Sequence, residues 1–168
     1  MLYHFSEQSG IARFEPRKIE GMPQPTVWAI DAVRQCNYLL PRDCPRVTYY
    51  PGPSTSTEDQ NRFLGQSLAV VAIEQAWIER IHKARLYRYR LPTESFQCVD
   101  AIAGYYVSER PVTPIEMEQF DDLPRAIALA RADLRIFSTL WPLHDEVAAS
   151  TLAFSMIRMR NASLEYEV

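Results

Sequence analysis

The chain has 168 residues, of which 47% are hydrophobic and 23% are charged, and its formal net charge is −3. This composition is typical of a globular protein and predicts a single domain over residues 1–168. The weak net charge gives no general attraction to nucleic acid, and no apolar run approaches the roughly 18 residues that span a bilayer, so we expect no membrane partner.

The first half of the chain predicts strands, loops and one short helix. "MLYHF" at the start alternates like a strand, and three prolines predict a loop over 15–26. "TVWAI" is a β-rich run, and Asp31 after it can cap a short helix, "AVRQCNYLL", which ends at Pro41. "RVTYY" follows as a strand, and Ser56 or Thr57 in "STSTED" can cap the next helix.

The second half predicts the longest helix, over 66–84, which is apolar around much of its circumference and is therefore expected to be buried. "RLYRYRL", "GYYVS" and "VTPIEME" are strand candidates, and Pro114 in the last of them indicates an edge strand or a bulge. Asp121 or Asp122 can cap a helix over "LPRAIALARA", "LRIF" is a short strand, and 143–160 closes the chain as a helix. Strands outnumber helices without alternating with them, which predicts the α+β class.

Several kinds of site lack their motifs in this sequence. None of the five glycines forms GxGxxG or a P-loop, and the three histidines have no metal-ligand spacing, so we expect no bound metal. The three cysteines form no CxxC and are odd in number, which predicts free thiols. Free thiols and the lack of a signal-peptide pattern predict a cytoplasmic protein.

The motifs "LYHFSE" and "TVWAIDAVRQCNYLL" resemble the first two motifs of ADP-ribosyltransferase-like folds. The resemblance implies NAD as cofactor and a split β-sheet with flanking helices. Carried over by position, His4 would bond a ribose of NAD, while Trp28 and Tyr38 would hold the nicotinamide ring. An imidazole can bond hydroxyl groups and aromatic faces attract an electron-poor ring, so these roles are chemically reasonable.

The transferases also use a glutamate from a later strand, and "AGYYVSERPVTPIEME" is the segment that resembles that part of the fold. Its glutamate position falls near Gly104 or Tyr105, neither of which is acidic. Glu109 is the nearest acid, and it joins His4 and Tyr38 as a candidate catalytic residue, since a carboxylate opposes the positive charge of an oxocarbenium-like transition state.

Arginines could meet the pyrophosphate of the same nucleotide. Arg13, Arg42 and Arg46 are the candidates, because guanidinium groups bind phosphates in a bidentate manner. Arg42 and Arg46 could equally form salt bridges with nearby carboxylates.

A second resemblance covers most of the chain. "LYHFSE", "VWAID", "PRDCPRV", "AGYYVS", "LWPLHD" and "STLAFSMIRMRNA" together resemble a bacterial protein family without an assigned activity. The function expected from both resemblances is an NAD- or nucleotide-binding domain, with transfer of ADP-ribose to an unidentified acceptor if it is an enzyme. The alternatives are a catalytically silent module that binds a nucleotide or a protein, and an RNA-end-processing enzyme of the 2′-phosphotransferase type.

Overall fold

Two β-sheets organise the chain in the computed structural model, which describes residues 1–18 and 22–164. The strands are β1 (Leu2–Ser6), β2 (Val27–Asp31), β3 (Arg46–Tyr50), β4 (Val70–Glu74), β5 (Leu86–Leu91), β6 (Gln97–Asp100), β7 (Tyr105–Ser108), β8 (Glu116–Phe120), β9 (Asp133–Phe137) and β10 (Ala153–Ile157). The α-helices are α1 (Thr57–Asp59), α2 (Ile78–Lys83), α3 (Leu123–Leu129) and α4 (Trp141–Ala148). The α+β class is confirmed.

The chain divides into two compact units. The first comprises Met1–Gln35 and Arg85–Phe120, and the second comprises Cys36–Ala84 and Asp121–Val168. The single domain expected over 1–168 stays a prediction. In the part of the chain that the structure describes, every helix is too short or too polar to cross a membrane.

The first unit contains an antiparallel sheet of six strands in the order β6-β7-β2-β1-β5-β8. Strand β1 is central, as its buried Leu2 and Tyr3 require, and its predicted strand character is confirmed. One face carries the core of the unit, in which Phe14 packs edge-on against Tyr89 at 5.2 Å. The Tyr89 hydroxyl donates to the carbonyl of Gln8 at 2.8 Å, which ties the segment after β1 to this core.

The second unit contains a sheet of four strands in the order β10-β3-β4-β9, in which only the β4–β9 pair is parallel. The long helix predicted over 66–84 is wrong in its first part, because Val70–Glu74 forms the central strand β4. A short 3-10 helix (Gln75–Trp77) and α2 follow. All five residues of β4 are buried, and its first four are apolar. A strand covered on both faces lacks the alternation of apolar and polar residues, so its sequence resembles that of a buried helix.

The helix predicted over 143–160 also divides. Helix α4 ends at Ala148, and the chain then turns and enters strand β10, which pairs with β3. The α-helix predicted after Asp31 is replaced by a turn, in which the Asp31 carboxylate accepts the Arg34 N–H at 2.8 Å, and by a 3-10 helix over Gln35–Tyr38. Residues 19–21 of the loop predicted over 15–26 lie outside the described residues.

Two predicted helix caps and one predicted edge strand are confirmed. Ser56 caps α1 by accepting the Asp59 N–H, and Asp122 caps α3 by accepting the Arg125 N–H. The edge strand predicted near Pro114 is β8, which pairs only with β5 within the described residues.

Candidate functional site

His4 lies in the middle of β1, half-buried in the first unit. Its Nδ1 atom is 2.8 Å from the carbonyl oxygen of Trp28. A carbonyl can only accept, so this contact puts the proton on Nδ1. The imidazole ring also packs on Phe14, with ring centroids 4.5 Å apart. The ring orientation is therefore fixed by the backbone of β2 and by the core of the unit.

The side chains of His4 and Trp28 leave the sheet on opposite faces. Tyr3 lies directly opposite Ile30 in the β1–β2 pair, so these two side chains share a face. Because side chains alternate along a strand, Trp28 lies on the face of Ile30 and His4 lies on the other. The two side chains therefore do not line one face of the sheet, although the resemblance assigns both residues to one NAD molecule. Their separate roles toward NAD stay predictions.

Trp28 has a buried polar atom without a partner. Its ring meets the Tyr105 ring edge-on, with centroids 5.6 Å apart. The indole Nε1 is enclosed, yet it makes no hydrogen bond within residues 1–18 and 22–164, and the same is true of the buried Thr26 hydroxyl. Thr26 precedes Trp28 by two residues, so both orphaned groups face the same side of the sheet. A buried donor left unpaired costs about 1–3 kcal/mol. A bound acceptor that paired with the Trp28 indole N–H would therefore remove this cost.

Tyr38 ends the 3-10 helix at the start of the second unit. The Arg46 guanidinium lies over its ring, 5.8 Å from the centroid. Arg46 is 1% exposed, and its Nε and Nη1 atoms donate to the carbonyls of Asn37, Pro41 and Cys44 at 2.9–3.0 Å. These bonds hold the loop "NYLLPRDCP" in place. The phosphate contact predicted for Arg46 stays a prediction, and the observed partners are backbone carbonyls.

The other two candidate arginines are exposed. Arg13, in the first unit, forms a surface ion pair with Glu15 at 2.8 Å. Arg42, in the second unit, follows Pro41 in the loop that Arg46 holds. Asp43, next in that loop, faces Arg158 at 3.7 Å. The salt bridges expected for Arg42 and Arg46 stay a prediction.

Cys44 closes this loop as a buried thiol. Burial raises its pKa to about 12, against the opposing effect of the nearby Arg46 cation. A thiol with this pKa is not a nucleophile at neutral pH. Cys36, Cys44 and Cys98 are all unbridged, as the odd count predicted.

The third motif has no acid at its expected position. Gly104 has φ +72°, and a Cβ there would lie 2.8 Å from the Arg34 Cγ and the Asp31 Oδ1 atoms. A side chain is thus excluded both by the backbone conformation and by the packed turn after β2. Tyr105, the other expected position, points at Trp28.

Glu109 is exposed and follows the last residue of β7. Continuing the strand register puts Tyr106 across from His4, two strands away. Glu109 lies one residue past Ser108, the last residue of β7 that pairs with β2.

The sequence reasoning missed Glu74, a carboxylate that is 1% exposed at the end of β4. It accepts from the N–H of Leu140 at 3.2 Å, and from both the N–H and the hydroxyl of Ser163 at 3.0–3.1 Å. Glu74 therefore joins the start of α4 to the segment after β10. A lone acid inside an apolar run was the available signal.

It also missed a charged ladder on the first sheet, made of Arg88, Arg90, Glu116 and Glu118. The alternation of charged residues in "RLYRYRL" and "IEMEQF" was the signal. Within the described residues, histidine, cysteine and acidic side chains nowhere form a group of three that could hold a metal ion.

Two sheets, one wholly antiparallel and one mixed, with short helices define an α+β protein whose candidate residues are distributed over two units. The chain belongs to a family of unknown function, DUF6886, whose model matches residues 3–162. Searches of curated proteins and of solved structures found no match.

Proposed function

We infer that this protein is a nucleotide-binding module of ADP-ribosyltransferase-like architecture, which holds the nicotinamide end of NAD or a related amide-bearing ring at Trp28. The order of elements supports the architecture: a histidine-bearing central strand, a second strand with the tryptophan, and a short helix that ends in Tyr38. In this inference the protein binds the nucleotide and does not transfer ADP-ribose.

The orphaned indole N–H of Trp28 carries the proposal. A nicotinamide carboxamide oxygen is an acceptor that would satisfy this donor, and the adjacent Thr26 hydroxyl could accept from the carboxamide NH₂ group. The neighbouring Tyr105 ring offers an aromatic surface to the pyridinium ring. These are the three residues that we assign to the amide-bearing end of NAD. His4 faces the other side of the sheet and is not assigned to this ring.

The absence of catalysis rests on the third motif. Gly104 has no space for a carboxylate, and Glu109 is exposed and lies beyond the end of β7. Gly104 and Tyr105, which stand at the position that the transferases use, therefore supply no acid beside bound ribose. The NAD glycohydrolase assay on the wild-type protein is expected to give no turnover.

Ligand binding tests the proposal directly. Titrating NAD, nicotinamide and ADP-ribose in a thermal-shift assay should raise the melting temperature for NAD and nicotinamide. A ligand at 100 times its Kd stabilises by about 2.7 kcal/mol, which corresponds to roughly 5–10 °C for a chain of this size. ADP-ribose, which lacks the amide-bearing ring, should have a smaller effect.

Trp28→Phe removes the indole N–H but keeps an aromatic ring, so it should weaken nicotinamide binding by about tenfold, the loss expected for one buried hydrogen bond. Trp77→Phe is the matched control, because the Trp77 ring lies under the Arg80 guanidinium in the second unit. Nicotinamide affinity that is equal in wild type and Trp28→Phe, or no shift with any of the three ligands, would refute the proposal.

A further inference from the structure

One face of the first sheet carries two cross-strand ion pairs beside a cavity. Arg88 lies opposite Glu118 and Arg90 lies opposite Glu116 in the β5–β8 pair, and Tyr3 lies opposite Arg90 in the β1–β5 pair. Directly opposed residues share a face, so these side chains point to one side of the sheet. The cavity that they enclose measures about 280 Å³ and is lined by Met1, Tyr3, Arg88, Arg90, Glu116 and Glu118.

Arg88 is the fixed cation of this cavity. The carbon of its guanidinium group lies 4.5 Å from the centroid of the Tyr3 ring and 5.1 Å from that of the Phe120 ring. One terminal nitrogen donates to the Glu118 carboxylate and the other to the Gln35 side chain. With both terminal nitrogens bonded and two aromatic rings beside the guanidinium, Arg88 forms the wall of the cavity rather than a ligand contact.

Arg90 is only partly engaged. Its Nε donates to Glu116 at 3.0 Å, and this is the one hydrogen bond of its side chain within residues 1–18 and 22–164. The two terminal nitrogens are left as a fork of donors, and the side chain is 39% exposed. Such a fork matches the two oxygens of a carboxylate.

The two glutamates also keep unused acceptors. Each uses one oxygen for its arginine, and within the described chain the second oxygen of Glu116 and of Glu118 accepts no hydrogen bond. The cavity therefore offers donors on β5 and acceptors on β8, with two positive and two negative charges. A phosphate would meet both carboxylates, and charges of the same sign at this range repel.

We propose that this cavity binds the zwitterionic end of an amino acid with an uncharged side chain. The α-carboxylate bonds the terminal nitrogens of Arg90, and the α-ammonium bonds the free oxygens of Glu116 and Glu118. The ring of Tyr3 borders the space left for the ligand side chain. The site is separate from Trp28, so it does not depend on the nucleotide-binding proposal.

Calorimetric titration of the full chain with leucine tests the site. N-acetyl-leucine amide, which has the same side chain but neither charge, is the matched ligand control. Arg90→Gln and Glu116→Gln should each weaken leucine binding by about tenfold or more, since each removes a charge-assisted contact. Glu79→Gln, which alters an exposed helix pair in the second unit, should leave the affinity unchanged.

Each other outcome overturns the proposal. The site is refuted if leucine gives no binding heat, if the uncharged analogue binds as tightly, or if inorganic phosphate or adenosine monophosphate displaces leucine. Circular dichroism spectra and melting temperatures of both variants establish that they are folded. The double variant Arg90→Glu with Glu116→Arg, which keeps an ion pair across the strands, should still fold but lose leucine binding.

Discussion

Removing the Glu74 carboxylate should destabilise the second unit substantially. In Glu74→Ala, the buried N–H of Leu140 and two donors of Ser163 lose their acceptor. Leu140 is fully buried, so its donor finds no water, at a cost of about 1–3 kcal/mol. Ser163 is half-buried and recovers water in part, so the expected loss in the free energy of unfolding is about 3 kcal/mol in total.

Urea denaturation measures this loss as a lower midpoint at an unchanged slope. Glu74→Gln keeps the shape of the side chain and one acceptor, so its loss should be intermediate. Glu79→Gln, at a side chain that is 86% exposed, should change the free energy of unfolding by less than about 0.5 kcal/mol. A loss below about 1 kcal/mol in Glu74→Ala would contradict the inference that Glu74 joins α4 to the segment after β10.

Three further predictions follow from single residues. Gly104→Ala should lower the free energy of unfolding by about 2 kcal/mol, because the position has positive φ and no space for a Cβ; a melting temperature equal to wild type would contradict this. Glu109→Gln should change neither stability nor NAD binding, whereas a wild-type NAD hydrolysis that falls 100-fold in this variant would return Glu109 to a catalytic role. Hydrogen bonds from the side chain and then the backbone of Thr151 hold the pKa of Asp59 below its ordinary 3.8. The stabilisation that this carboxylate contributes is therefore complete above pH 3.8 and is lost as the pH falls through the lower pKa of the folded state. Asp59→Asn should flatten the acid side of a plot of unfolding free energy against pH, and an unchanged plot would refute this.

Local sequence patterns were sufficient for the strands that have one buried face and for the helix starts. "RLYRYRL" alternates in period two, and the structure has β5 there with alternating burial. The caps at Ser56 and Asp122 were visible because a capping side chain bonds backbone groups only three residues ahead.

Strands buried on both sides could not be recognised in this way. The run Val70–Ile73 is apolar without alternation because one neighbouring strand lies on each side of β4 and both of its faces are covered. Periodicity then no longer separates a strand from a helix. Strand β10 was predicted as part of a helix for a different reason. Its pairing partner β3 lies about a hundred residues earlier in the chain, so no local pattern indicates the pairing.

The candidate site depended most on tertiary structure. The sequence by itself determined that His4 and Trp28 lie in strands, and that Gly104 and Tyr105 offer no acid. Only the pairing of Tyr3 with Ile30 decided that the His4 and Trp28 side chains leave opposite faces, because a shift of one residue in strand register exchanges the faces. The same holds for Arg90 and Glu116, which are 26 residues apart in sequence and become partners only through the register of β5 with β8.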